Sequence, residues 1–185
     1  MPLNPEGRRG DHGLQLTLVR HGHAESPAAG DADFDRVLDR RGLTEVRDMA
    51  RHCLARGDVP QLLRASAAAR TRQTAAVFAQ VLDLPADRLL LGRELYLADL
   101  ASLLETVRST APDVRHLMLV GHNPGMIELA QQLAWPRRVE EFATAAIFCM
   151  RFAVEAWQDL RPGTAVDAYY RSPADLPDLR SGNRR

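Results

Sequence analysis

The chain has 185 residues, its basic and acidic side chains number 24 each and cancel to zero net charge, and 45% of it is hydrophobic. That balance describes one ordinary globular domain and excludes a bulk electrostatic grip on nucleic acid. No apolar run approaches the roughly 18 residues of a membrane span, and the opening MPLNPEGRRGDHG has no apolar leader stretch, so a cytoplasmic protein is expected.

Residues 1–13 are rich in Gly, Pro and Arg and are expected to form a flexible tail. The apolar run at 14–19 predicts a buried strand, and a polar loop is expected at about 26–41. A helix should start at Thr44, read as its N-cap, because Val46, Met49, Ala50, Cys53 and Leu54 recur on one helical face. Gly57 and Pro60 stop it. A short strand at 62–65 leads through Ser66 into a helix over 71–82. A weak edge strand is expected at 88–91, a helix at 100–107, and the clearest interior strand at 116–120 (HLMLV). A helix over 126–133 and two late strands at 145–152 and 165–170 complete a domain spanning 14–173, with a second flexible tail at 174–185. Strands alternating with helices predict an α/β fold, a single-domain three-layer sandwich with a mostly parallel central sheet flanked by helices. Cys53 and Cys149 each lie in an apolar stretch and are read as buried free thiols.

In such folds the working residues lie just beyond the carboxyl ends of the strands. The first strand is followed by Arg20-His21-Gly22-His23, the second by Ser66-Ala67-Ala68-Ala69-Arg70, and the interior strand by Gly121-His122-Asn123-Pro124-Gly125. Three strand ends thus bring arginines and histidines to one rim, which core packing does not require. Every basic residue is arginine and no lysine occurs, so any anion site must use guanidinium, imidazole or backbone N–H groups. These groups suit phosphoryl transfer through a phosphorylated histidine. A neutral imidazole attacks phosphorus in line, two guanidiniums hold the oxygens, and a second histidine or a helix N-terminus adds donors.

The stretches LTLVRHGHAES, RGLTEVRDMA, SAAARTRQTA, LMLVGHNPGMIELA and GTAVDAYYRSP resemble the histidine phosphatase superfamily (phosphoglycerate-mutase-like), and within it the short SixA-like phosphohistidine phosphatase branch. The resemblance implies that His21 is the phosphorylated nucleophile, that Arg20 and Arg70 bind the phosphoryl group, and that His122 is the second histidine of the pocket. Gly22, His23 and Asn123 are the expected substrate-binding neighbours. Gly42, Ala67 and Arg47 depart from the common pattern, at positions that frame the backbone. Larger relatives supply a carboxylic acid from the segment after the third strand; here Glu94 is the candidate proton donor, with a solvated edge residue as the alternative.

The implied partner is a phosphorylated substrate, either a histidine-phosphorylated signalling protein or a small phosphomonoester. No nucleic acid, membrane, metal or other cofactor is implied, and the oligomeric state is open. A phosphoglycerate-mutase-type phosphotransferase and a non-catalytic phosphate-binding regulatory module are the competing readings. Outside the motifs, His12, His52 and His116 read as surface, helix-face and pre-strand residues, and Arg72 as a solvated helix face. Tyr169 and Tyr170 read as strand packing, and Trp135 and Trp157 as packing anchors.

Overall fold

The computed structural model describes residues 13–26, 32–136 and 139–177. Most of the two expected tails, at 1–12 and 178–185, and part of the expected loop, at 27–31, lie outside the described residues.

Strand β1 (Leu14–Arg20) alternates strictly. Leu14, Leu16 and Leu18 face one layer of helices, while Val19 joins the apolar cluster on the other side. Helix α1 (Arg40–Arg56) follows, then β2 (Leu62–Ser66), α2 (Ala69–Val81), β3 (Leu89–Gly92), α3 (Leu100–Arg108), β4 (His116–Gly121), α4 (Gly125–Ala134), β5 (Ile147–Phe152) and β6 (Ala165–Arg171). The six strands form one sheet in the order β3-β2-β4-β1-β5-β6. The helices divide between its two faces. Val46, Met49 and Cys53 of α1 and Ala75 and Phe78 of α2 pack with Leu63, Met118 and Val120 on one side. Leu103 and Val107 of α3 and Met126, Leu129 and Leu133 of α4 pack with Leu117 and Leu119 on the other. Successive side chains along β4 therefore feed opposite cores, as the pleat requires.

The sheet is mixed rather than mostly parallel. β1 pairs with β4, and β2 with β3 and β4, in parallel, but β5 runs antiparallel to β1, and β6 to β5. The reason lies in the segment after α4. It climbs back to the carboxyl end of β1, where Ala145 N donates to His21 O, so β5 starts at that rim and must run away from it.

Helix α1 starts four residues before Thr44. Its cap is Asp39, whose carboxylate accepts from Gly42 N at 2.7 Å, while the Thr44 hydroxyl donates inside the helix to Arg40 O at 3.0 Å. Gly42 belongs to this first turn because a Cβ there would run into the His23 backbone. Gly57 closes the helix with φ of 73°, a left-handed C-cap suited to glycine. Trp157 is a buried anchor, its indole N–H donating to Val114 O at 2.7 Å. Trp135, in contrast, is 64% exposed, because α4 ends at Ala134 and turns the ring outward. Among the described residues no helix is long and apolar enough to cross a membrane.

α1, which follows β1, and α4, which follows β4, lie on opposite faces, although β1 and β4 are neighbours. The crevice beyond their carboxyl ends is thus a topological switch point, where backbone diverges and a ligand fits.

Candidate active site

Arg20 closes β1 at this crevice, and His21 and His122 follow β1 and β4 directly. Arg70 comes from the first turn of α2, behind the end of β2. The His21 and His122 rings stand 5.2 Å apart, tilted by 60°. His21 Nδ1 lies 2.8 Å from the Gly22 carbonyl oxygen, which can only accept, so Nδ1 carries the proton and Nε2 presents its lone pair. Arg70 Nε, a donor, points at that lone pair from 3.3 Å. Burial, then the charges of Arg70, Arg20 and Arg36, lower the His21 pKa from 6.5 to about 4. The imidazole is therefore neutral and nucleophilic at neutral pH.

His122 is held in the complementary way. Arg70 Nη2 donates to its Nδ1 at 3.3 Å, so the proton sits on Nε2 and is given to Ser66 Oγ at 2.9 Å. Burial first, then His21 and Arg70, lower its pKa to about 3. An incoming phosphoryl dianion opposes both effects.

Arg20 turns Nη1 to the Phe142 carbonyl at 2.9 Å, and the Asn123 amide shares that oxygen at 3.1 Å. Arg20 Nε is buried and has no partner. An idle guanidinium N–H is costly to bury, and a phosphoryl oxygen would satisfy it.

Gly22 N donates to Thr74 Oγ1, and a Cβ on Gly22 would meet Val46 Cγ2 at 2.6 Å, so glycine lets this turn press on α1. Asn123 borders the pocket through the Phe142 bond. His23 does not join the cluster: its Nδ1 pairs with Asp39 Oδ2 at 2.5 Å, at the cap of α1. Glu94 is not brought to the pocket either. Its side chain is 60% exposed, and Oε1 accepts from Arg64 Nη2 at 3.5 Å on the sheet edge. The turn after β3 is anchored by buried Leu95, and it is Tyr96 that reaches the pocket, edge-on to His122 at 5.5 Å. Among the described residues no three or more His, Cys, Asp or Glu side chains are grouped to hold a metal ion.

Sequence reasoning missed Asp33, Tyr96 and Phe142. Asp33 Oδ2 accepts from Arg70 Nη2 at 2.9 Å and from Tyr96 Oη at 2.7 Å, and Oδ1 accepts from Arg36 at 2.9 Å. The Tyr96 hydroxyl, then Arg36, hold this carboxyl well below the usual carboxylate range. Asp33 sits in an acidic, aperiodic stretch (DADFD), Tyr96 two residues past a more obvious acid, and Phe142 acts through its carbonyl, which no side chain announces.

The sequence model described as histidine phosphatase superfamily (branch 1) matches residues 16–146, a span that holds every group of this pocket. The chain belongs to that superfamily. An uncharacterized protein of Mycobacterium tuberculosis (strain H37Rv) is 30% identical to this histidine phosphatase over 164 residues, covering 84% of this chain and 99% of its own. A protein of Agrobacterium tumefaciens whose structure bears the name phosphohistidine phosphatase SixA superposes with a TM-score of 0.70 at 26% identity, covering 84% of this chain and 97% of that one. The protein histidine phosphatase SixA, solved with tungstate, has the same fold with a TM-score of 0.76 at 23% identity, covering 89% of this chain and all of that one. SixA-like kinship and the family match support a phosphatase that acts on a phosphorylated substrate.

Proposed function

We propose that this histidine phosphatase hydrolyses phosphohistidine, through a phosphoryl group carried transiently on His21 Nε2. The observation that carries the reading is the His21 tautomer: the Gly22 carbonyl fixes the proton on Nδ1 and leaves Nε2 free, between Arg70 and His122. The Nε2 lone pair attacks phosphorus as the bond to the substrate's ring nitrogen breaks, that nitrogen keeping the bonding pair, and the substrate ring, already protonated on its other nitrogen, departs as a neutral imidazole. Arg70 Nε, which faces Nε2 in the free protein, shifts its N–H to a phosphoryl oxygen, and Arg20 Nε fills its empty valence on another. Water then attacks phosphorus, the P–Nε2 bond breaks, and its electron pair returns to His21, with phosphate and a proton as the products. Two guanidiniums carry the charge neutralisation, so the scheme calls on no metal.

The choice of phosphohistidine rests on the leaving group. An alkoxide needs a general acid, whereas an imidazole leaves with little help. Glu94 turns to Arg64, and Asp33 is held as a carboxylate by Tyr96 and Arg36, so neither is poised to give a proton. The test is steady-state hydrolysis with chelator present, comparing phosphohistidine with an aryl phosphate on the wild type and on Glu94→Gln. Preferred turnover of phosphohistidine, changed by less than about twofold in Glu94→Gln, is the expected result. Preference for alkyl or aryl esters together with a crippled Glu94→Gln would replace it with a general-acid phosphomonoesterase.

A further inference from the structure

Arg70 uses the two edges of its guanidinium differently. On one edge Nη1 donates to the Asp33 carbonyl at 2.5 Å and Nη2 to Asp33 Oδ2 at 2.9 Å. On the other, Nε and Nη2 reach His21 and His122 only at 3.3 Å each. Short charge-assisted bonds hold the first edge, and long bonds to neutral imidazole nitrogens occupy the second. A phosphoryl oxygen arriving at His21 displaces the weak pair and leaves the strong pair intact. Nη2 has two N–H bonds, one for each edge, so it serves both at once.

Asp33 is itself fixed. Tyr96 Oη and Arg36 Nη1 donate to its two carboxylate oxygens, Arg36 is tied in turn to Glu25 O at 2.9 Å, and Phe34 packs edge-on against Tyr96 with centroids 5.0 Å apart. The connection before α1, the first turn of α2 and the turn after β3 thus meet at one carboxylate.

We propose that Asp33 is a positioning residue for phosphoryl transfer: steadied by Tyr96 and Arg36, it turns the Nε–Nη2 edge of Arg70 into the gap between His21 and His122. The proposal rests on His21 as nucleophile, and it predicts where the loss falls. Misalignment of Arg70 costs most where charge is being redistributed, so kcat suffers and KM hardly moves. Asp33 acts only through Arg70, so its effect must vanish once Arg70 is altered.

The experiment is a double-mutant cycle of Asp33→Asn and Arg70→Lys, read as kcat and KM, together with orthovanadate affinity by titration calorimetry. Asp33→Asn is expected to lower kcat by about tenfold with KM within about threefold, and to weaken orthovanadate by about fivefold. In the Arg70→Lys background the same change should alter kcat by less than about twofold. Equal losses in both backgrounds, or a gain in kcat with tighter orthovanadate binding, would overturn the proposal; the second result would make Asp33 a competitor of the substrate. Should Asp33→Asn not fold, Tyr96→Phe serves in its place, with a loss of about threefold that likewise disappears beside Arg70→Lys. Orthovanadate binding needs no turnover. A wild type that binds it, Asp33-dependently, yet hydrolyses no phosphohistidine would overturn the substrate assignment and leave the positioning role standing.

Discussion

Two polar clusters lie at opposite ends of the same parallel strands, and they are built on opposite rules. At the amino end, buried Asp58 accepts from Gln15 Nε2 at 3.1 Å, Arg56 Nε at 3.0 Å and Tyr169 Oη at 2.6 Å. Beside it His116 gives its Nδ1 proton to Val59 O and takes the Thr17 hydroxyl on Nε2, while Gln15 reaches Cys149 Sγ. These groups satisfy one another. At the carboxyl end, Arg20 Nε has no partner, and Arg70 spends two N–H bonds on long contacts to histidines. The closed cluster holds strands together; the open one keeps valences for an anion. Buried polar groups by themselves do not mark a site, whereas cationic donors left unsatisfied on one rim do.

The comparison breaks most sharply in activity. His21→Ala should cut turnover by about three orders of magnitude or more while the protein unfolds at an equal or higher temperature, because an active rim is not optimised for stability. Turnover assays beside thermal melts read both, and retained turnover would put the nucleophile elsewhere.

Asp58→Ala should do the reverse, costing about 2 kcal/mol in denaturant melts because it leaves the part-buried Gln15 and Tyr169 donors without their acceptor, the half-exposed Arg56 turning to water, while folded protein keeps its kcat. A harmless Asp58→Ala would mean that the cluster is not closed as described.

A finer contrast is in pH. Burial lowers the His116 pKa from 6.5 to about 4, so the folded state binds fewer protons than the unfolded chain between those values. Stability is therefore full above pH 6.5 and is lost as pH falls toward 4. His116→Gln, which keeps a donor and an acceptor but does not titrate, should make that slope shallower in melts run across the window, leaving the shares of His21 and His122.

The smallest effect belongs to the nucleophile's own titration. With a His21 pKa of about 4, kcat/KM corrected for substrate ionisation should stay level from pH 7 to near 5. An acid limb centred near 6.5 would show that the arginines and burial do not keep His21 neutral.

Much of this was legible in order along the chain. The continuous apolar runs of β1 and β4 and the helical spacing of Val46, Met49 and Cys53 mark strands and helix, because a strand covered on both faces is apolar throughout and a helix buries one face. Arg20, His21 and His122 could be placed on one rim because Arg20 ends a strand and each histidine directly follows one. Where signals were carried by neighbours in space, the reading slipped: Thr44 lost the cap to Asp39, and the mixed sheet followed from a loop returning to the rim.

The sequence by itself determined the layered α/β fold, the family and the cationic rim, since periodicity and strand-end motifs are local properties of the chain. The tertiary structure alone decided which groups complete the rim. It turned Glu94 out to Arg64, brought Tyr96 and Asp33 to Arg70, and lent Arg20 the Phe142 carbonyl. Those hydrogen-bonded partners lie between 30 and 122 residues apart along the chain, Glu94 and Arg64 at the near end and Arg20 and Phe142 at the far one. Hydrogen-bond geometry over such separations is set by how the elements pack and leaves no periodic trace in the residues themselves.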